Sequence, residues 1–324
     1  MPYDIAGIPA PTAASIAATR AALRPYIRTT PIFERGDLPD IDGHITFKFE
    51  LLQASGTFKA RGAFANLLAL TGEQRKSGVT CVSAGNHAVA VAYAAEKLGI
   101  AAKVVMIATA NPARLALVRA TGAELVLAAD GPSAFAAVRE IESREGRYFV
   151  HPFNGLNTIL GTATLGAEWA EQSGPLDAVI LPIGGGGLAA GAATALKLAR
   201  PDLAIHGVEP TTANGMAQSF DTGAPIKMGP MQSIADSLMA PHTEAYSYEL
   251  CRQSLASLVT VTDDDLRAAM RLLFAELKIA VEPACAAATA ALLGPLRQTL
   301  EGQRVGILLC GSNTDLPTFT RQIE

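Results

Sequence analysis

An α/β protein with two open parallel sheets is expected from this sequence, and three observations carry the expectation. From Gly78 onward, short β-branched runs alternate with amphipathic stretches of helical period. The same alternation resumes near Ala178. A chain of 324 residues exceeds one small core and suits two units, or one large unit carrying an insertion.

The elements follow in order. Ile45, Phe47 and Phe49 alternate with Thr46, Lys48 and Glu50, the pattern of a half-buried strand. Residues 79–83 then read as a strand, 87–98 as a helix and 103–107 as the next strand. Residues 112–120 are helical, 124–128 a strand, 133–144 a helix and 147–150 a strand, with Gly99 and Gly122 closing helices. On the second scale, 178–183 is a strand, 188–199 a helix, 205–208 a strand and 305–309 a strand. The βαβ rhythm places a smaller domain, residues 76–152, inside a larger one made of 1–75 and 153–324.

Composition narrows the class. The chain is 49% apolar and 17% charged, which suits a compact enzyme rather than a disordered chain. A net charge of -4 offers no field for nucleic acid. No apolar run reaches the length of a membrane span, and the start lacks the basic-then-apolar order of a signal peptide. Cys81, Cys251, Cys285 and Cys310 are scattered, so reduced thiols in a cytoplasm are expected.

Five clusters carry chemistry. In Ser55-Gly56-Thr57-Phe58-Lys59-Ala60-Arg61-Gly62, a lysine just past a glycine turn has apolar neighbours that can keep its amine neutral, ready to form an imine. It could equally be an ordinary helix-start lysine. Ser83-Ala84-Gly85-Asn86-His87 lies between a strand and a helix, where free backbone N–H groups suit a carboxylate or phosphate. Gly184-Gly185-Gly186-Gly187, followed by Leu188, also joins a strand to a helix and can wrap a phosphate without side-chain obstruction. That loop also mimics a dinucleotide fingerprint, with Glu209 at a plausible ribose distance. Glu282, entering an alanine-rich helix, is either a site carboxylate or a helix-start acid. Cys310 ends the 305–309 strand, where a thiol can meet a ring edge or simply be buried.

The ordered set SGTFKARGA, SAGNHA, GGGGLAAG, VEPA and CGSN resembles the fold-type II pyridoxal-phosphate enzymes, the group that includes the β subunit of tryptophan synthase. Within it, the set is most similar to the serine/threonine dehydratase and serine racemase branch. Thr30-Pro31, His151-Pro152-Phe153 and Ile234-Ala235-Asp236 are smaller echoes, so the resemblance spans residues 28–315. It implies a cofactor held between the two domains, with Lys59 as its imine partner, Phe58 beside the ring and Asn86 on the ring hydroxyl. It also implies the phosphate at Gly184–Leu188 and Cys310 at the pyridine nitrogen, with Glu282 near the ring. Ser83, Ala84, Gly85, Asn86 and His87 would take the substrate carboxylate. A homodimer is implied as well.

The implied reaction is loss of water from a small hydroxy-amino acid, L-threonine or L-serine, giving a 2-keto acid and ammonia. Relatives of 3-hydroxyaspartate type or bulkier, and serine racemase itself, are the alternatives within the family. A cysteine-synthase-like replacement enzyme, a nicotinamide oxidoreductase and a non-catalytic binder are the alternatives outside that branch. Two departures favour elimination over racemisation. Ala84 stands where racemases carry a proton-bearing serine. The racemase metal site needs an acid two residues past an alanine, and here Glu209 and Ala213 are followed by Gly215. Ser237 replaces a glycine usual after Ile-Ala-Asp. Only Thr314 to Glu324 follow the last motif, and eleven residues cannot form the regulatory domain of isoleucine-responsive relatives. Near-hyperbolic kinetics, insensitive to isoleucine or valine, are expected on that ground.

Overall fold

A computed structural model describes residues 4–39 and 41–324. The chain opens with β1 (Asp4–Ile5), β2 (Ile8–Pro9), α1 (Ala13–Leu23), β3 (Ile32–Leu38) and β4 (Ile41–Phe49). Next come α2 (Lys59–Leu68), α3 (Gly72–Ser77), β5 (Val79–Val82), α4 (Asn86–Leu98), β6 (Ala102–Ile107), α5 (Pro112–Ala120), β7 (Glu124–Ala128), α6 (Gly131–Glu145) and β8 (Tyr148–Phe149). The remainder runs α7 (Leu156–Gln172), β9 (Ala178–Pro182), α8 (Gly187–Ala199), β10 (Ala204–Pro210), α9 (Gly215–Thr222) and α10 (Ala245–Ser254). It ends with β11 (Ser257–Val261), α11 (Asp263–Leu277), α12 (Pro283–Leu293), β12 (Arg304–Leu309) and α13 (Leu316–Ile323).

Helix boundaries follow local chemistry. Thr12, Asp130 and Thr262 each close a capping box at the start of a helix. Gly99 and Gly146 end α4 and α6 in the left-handed conformation, both at φ 63. These signals, with apolar residues facing inward, give crossover helices between parallel strands.

Two larger sheets result. One has the order β11-β10-β9-β12-β4-β3, the other β7-β6-β5-β8. All neighbours are parallel except β3, which pairs antiparallel with β4. The expected parallel sheets are present, and β3 adds an antiparallel edge to one of them. Only a tight connection separates the two strands, too short for the crossover that parallel pairing needs.

A correction concerns β4. The alternation predicts a half-buried strand, yet Thr46, Lys48 and Glu50 are as buried as Ile45 and Phe47. The face with polar residues meets α7 and α2 rather than water, and a bonded network satisfies it. Lys48 Nζ donates to Glu168 (2.6 Å), to the Thr30 carbonyl (2.7 Å) and to Gln172 (2.7 Å). Arg61 grips Glu50 through two donors (2.8 and 2.7 Å) and reaches Glu168 at 3.0 Å. Burial lowers the Arg61 pKa, but the two carboxylates outweigh it and raise the value overall.

Helix α2 is wedged between the two sheets' packing layers. Ala60, Phe64 and Leu67 share a core with Val79, Val91 and Val104 of the second sheet's unit, although the sequence boundary puts α2 in the larger domain. Its other side touches α7 so closely that a Cβ on Gly161 would stand 2.6 Å from the Arg61 carbonyl. The N-terminus of this wedge is where Lys59 sits. Among the described residues no helix is long and apolar enough to cross a membrane.

Candidate functional site

The carboxyl ends of β5, β9 and β12 meet at one cavity of about 460 Å³, the usual ligand position for open α/β sheets. Lys59 reaches it from a constrained turn. Ser55 (φ 64) and Gly56 (φ 73) are both left-handed. For serine this backbone is strained, and its neighbours hold it in place. Asn313 Nδ2 donates to the Ser55 carbonyl (2.8 Å), Ser312 N to the Gly56 carbonyl (3.1 Å) and Phe58 N to the Cys310 carbonyl (3.1 Å). Position 56 admits only glycine, because a Cβ would lie 2.3 Å from Asn313 Oδ1.

Lys59 Nζ donates to the Pro152 carbonyl at 2.5 Å and lies 5.1 Å from the Phe58 ring centre. Burial lowers its pKa to about 8, so a useful neutral fraction exists near pH 7. His87 stands nearby, its Nε2 donating to the Val150 carbonyl at 2.8 Å. Burial, with Lys59 adding to it, lowers the His87 pKa to about 3 and keeps the ring neutral.

Two helix N-termini face the cavity. The Gly184-Gly185-Gly186-Gly187 loop enters α8, whose first bond runs from Ala190 N to the Gly186 carbonyl, leaving the amides ahead of it for an anion. The loop has no room for side chains. A Cβ on Gly185 would stand 2.2 Å from the Phe153 ring, and Gly186 has φ +86. Ser83, Ala84 and Gly85 lead into α4, which has no side-chain cap at Gly85, so the Asn86 and His87 amides also open to the cavity. Leu188 lines the same space.

Glu282 resolves one open alternative. It precedes α12 but makes no capping bond with its side chain. Instead its carboxylate accepts from Asn86 Nδ2 (2.8 and 3.0 Å), Asn313 N (2.7 Å) and Arg114 Nη2 (2.7 Å). Cys310 is buried three residues before Asn313, and its thiol pKa is raised well above normal by a bond with Cys285 and by burial, so it carries no charge. All four cysteines are buried and free.

The structure thus gathers Phe58, Lys59, Ser83 to His87, Gly184 to Leu188 and Cys310 at one cavity, with Glu282 directly behind Asn86. Glu209 is placed elsewhere. Its carboxylate accepts from the Met216 and Ala217 amides at the start of α9, and burial raises its pKa to about 8. That commitment corrects the ribose assignment, and Gly215 supplies no acid beside Glu209 and Ala213.

Several cavity residues were not foreseen from sequence. Arg114, Asp236 and Ser237 bring polar side chains to the cavity, while Ile107, Pro132 and Phe135, at the end of β6 and the start of α6, give it an apolar wall. Arg114 gave no signal, since NPARLALV reads as an ordinary helix start. A trio of His151, His242 and Glu244 also lies close together. His151 Nδ1 accepts from the Phe153 and Asn154 amides (3.3 and 3.0 Å), which puts the neutral ring's proton on Nε2 and leaves no lone pair there for a metal. A larger hollow of about 720 Å³ between α1, α7 and α8 is lined mainly by alanines, arginines and glutamates.

The cavity fits pyridoxal phosphate. It offers a desolvated amine, a seat free of Cβ atoms at a helix N-terminus, an amide for a ring oxygen and an uncharged thiol for a ring nitrogen. Comparison with known proteins agrees. The sequence profile of the family described as pyridoxal-phosphate dependent enzyme matches residues 23–311. A phenylserine dehydratase of Ralstonia pickettii is 65% identical over 97% of this chain and 96% of its own. The catabolic L-threonine dehydratase TdcB of Escherichia coli K12 is 38% identical over 85% of this chain and 84% of its own. Among solved structures, maize serine racemase superposes with a TM-score of 0.89 at 33% identity, covering 96% of each chain. The chain belongs to the pyridoxal-phosphate dependent enzymes of fold type II, in the dehydratase and ammonia-lyase group.

Proposed function

We propose that this enzyme removes water from a 3-hydroxy amino acid bearing an aryl group, of the phenylserine kind, and releases a 2-keto acid and ammonia. The observation that carries the reading is the apolar wall that Ile107, Pro132 and Phe135 add to the cavity holding Lys59, the two helix N-termini and Arg114. An acidic side chain would lose hydration against that apolar wall, and an aryl group would bury its surface there. The 65% identity to a phenylserine dehydratase supports the same substrate, whereas the threonine relative is far more distant at 38%.

The residues divide the work. Lys59 Nζ would link the cofactor, and Gly184 to Leu188 would bind its phosphate through their amides. The amides of Ala84 to His87, with Ser83, would receive the substrate carboxylate. Pyridoxal phosphate supplies, when bound, a sink for negative charge developing at the substrate Cα. Lys59 Nζ would also serve as the base that takes the substrate's Cα proton. The C3 hydroxyl would leave as water with the proton that Lys59 Nζ carries from Cα, and the enamine that is released would take up water to give the keto acid and ammonia, with no net oxidation. Ala84 has no proton to deliver, which disfavours formation of the opposite enantiomer.

A panel of L-serine, L-threonine, 3-hydroxyaspartate and phenylserine, assayed for 2-keto acid release, tests the substrate. Phenylserine should give the highest kcat/KM, and Phe135→Arg should shift preference toward the acidic substrate. Preference of the unmodified enzyme for 3-hydroxyaspartate, or for L-serine or L-threonine, would overturn the aryl reading. Rapid D-isomer formation on chiral chromatography would overturn the elimination reading.

A further inference from the structure

Around Arg114 lies a closed hydrogen-bond circuit that the reaction scheme above does not use. Arg114 Nη2 donates to Glu282 Oε2 at 2.7 Å, and Arg114 Nε donates to the Asn313 carbonyl at 3.1 Å. Asn313 N returns to Glu282 Oε1 at 2.7 Å, and Asn313 Nδ2 donates to Asn86 Oδ1 at 2.8 Å. Asn86 Nδ2 completes the circuit on both oxygens of Glu282. Four residues from four separate segments therefore fix one another: the first turn of α5, the entry to α12, the first residue of α4 and the loop after β12. All four are buried.

Within this circuit the Asn86 amide has its orientation set. Its oxygen is taken by Asn313 and its nitrogen faces a carboxylate, so a flipped amide would set oxygen against oxygen and lose both bonds. Glu282 in turn needs a cation, because a buried carboxylate with only neutral donors is costly. Arg114 is the cation bonded to it, and a second contact, bidentate to Asp236 at 2.5 and 3.2 Å, anchors the guanidinium. Asn313 extends the same order to the amine, since its Nδ2 also holds the Ser55 carbonyl in the turn before Lys59.

We propose that Arg114 is a positioning residue for the cofactor: by holding Glu282 it fixes the Asn86 amide that meets the ring oxygen, and so sets the ring's protonation state. The inference rests on the proposed role of Asn86. It makes Arg114 the one part of the circuit contributed by α5. Residue type matters here. A guanidinium can serve Glu282, Asp236 and the Asn313 carbonyl together through its fork, and an ammonium cannot match that geometry.

The test uses the loaded enzyme and reads the visible absorption of its bound cofactor across pH, the cofactor dissociation constant and the melting temperature of the apoprotein. Arg114→Lys should alter the pH dependence of the band and weaken cofactor binding by about tenfold or less, and Arg114→Met by more than tenfold. Because Arg114→Met leaves two carboxylates without their cation, the double variant Arg114→Met/Glu282→Gln serves as the second arm. It should fold and still show the altered band, since Asn86 has lost its charged acceptor. Asn86→Ala separates the two levels of the argument. An unchanged band in Asn86→Ala would overturn the role of Asn86. A changed band in Asn86→Ala, with normal band and binding in Arg114→Lys and the double variant, would overturn the role of Arg114 alone, even if their apoproteins melt lower.

Discussion

Arg61 and Arg114 are both buried against two carboxylates, but their surroundings differ in charge balance and in access. The Arg61 network sets two cations, Lys48 and Arg61, against two anions, Glu50 and Glu168, with side chains at most 3% exposed. The Arg114 network sets one cation against two anions, and Asp236 is 42% exposed at the cavity mouth. A balanced, sealed set has nothing to offer a ligand, so it acts as a fastener for α2. An unbalanced set lining a cavity keeps excess negative charge where a cationic amine or a protonated ring can answer it. Burial of charge alone therefore does not mark a site; imbalance facing a cavity does.

The comparison can be broken at each point. The largest effect is expected at Lys59, the cavity's own cation. Lys59→Ala should lower turnover by ~10³-fold or more, as loss of both imine partner and base requires, while leaving the denaturation midpoint of the apoprotein unchanged or higher. A large loss of stability in that variant would show that Lys59 also fastens the fold. Arg61→Met should do the reverse. It strands Glu50 and Glu168, and the cost is about 3–5 kcal/mol by chemical denaturation, with a normal cofactor band in the protein that folds. A smaller loss than in Arg114→Met would end the distinction between fastener and site.

A gentler test is pH. The Lys59 pKa is about 8 in the folded apoprotein and 10.5 when unperturbed. Between these values the unfolded chain holds the proton and the folded chain does not, so stability rises with pH across that window. Below pH 8 both forms are charged and the desolvation cost is fully felt. Melting curves of apoprotein from pH 7.5 to about 10 should show this rise, and Lys59→Met should flatten it. If the slope persists in Lys59→Met, another group is responsible. The smallest effect is expected at Ala84→Ser, which adds a proton carrier without charge. Slow D-isomer formation should become measurable, with little change in stability.

Legibility in the sequence followed the same division. Lys59, Ser83 to His87 and the four glycines are legible because their placement at the cavity depends on backbone and on neighbours in sequence: a turn, a helix start, an absent Cβ. Arg114 was invisible because its partners lie 122, 168 and 199 residues away. The alternation in β4 was seen correctly and misread, since Lys48 and Glu50 look the same facing water as facing a covering helix with acids of its own. Edge strand β3 lacked a clear alternation in IFERGDL and went unrecognised. Glu282 stayed ambiguous for a simple reason: its position before Pro283 is that of a helix-start acid, and only the fold shows that its side chain turns away.

Phe153 has a consequence for anyone who would redesign this enzyme. Its ring is the floor beneath Gly185, and its carbonyl lies 2.5 Å from where a Cβ of Gly187 would be. Gly185 and Gly187 are thus not the adjustable part of the loop, because a side chain added to either collides with this one residue, and Gly184 and Gly186 are crowded instead by Leu238 and Met216. Phe153, beneath the loop, is adjustable. Trimming it to leucine would deepen the floor by part of an aromatic ring's volume without touching the amides above. Space released there, rather than in the loop, is where a library for bulkier or modified cofactors should begin.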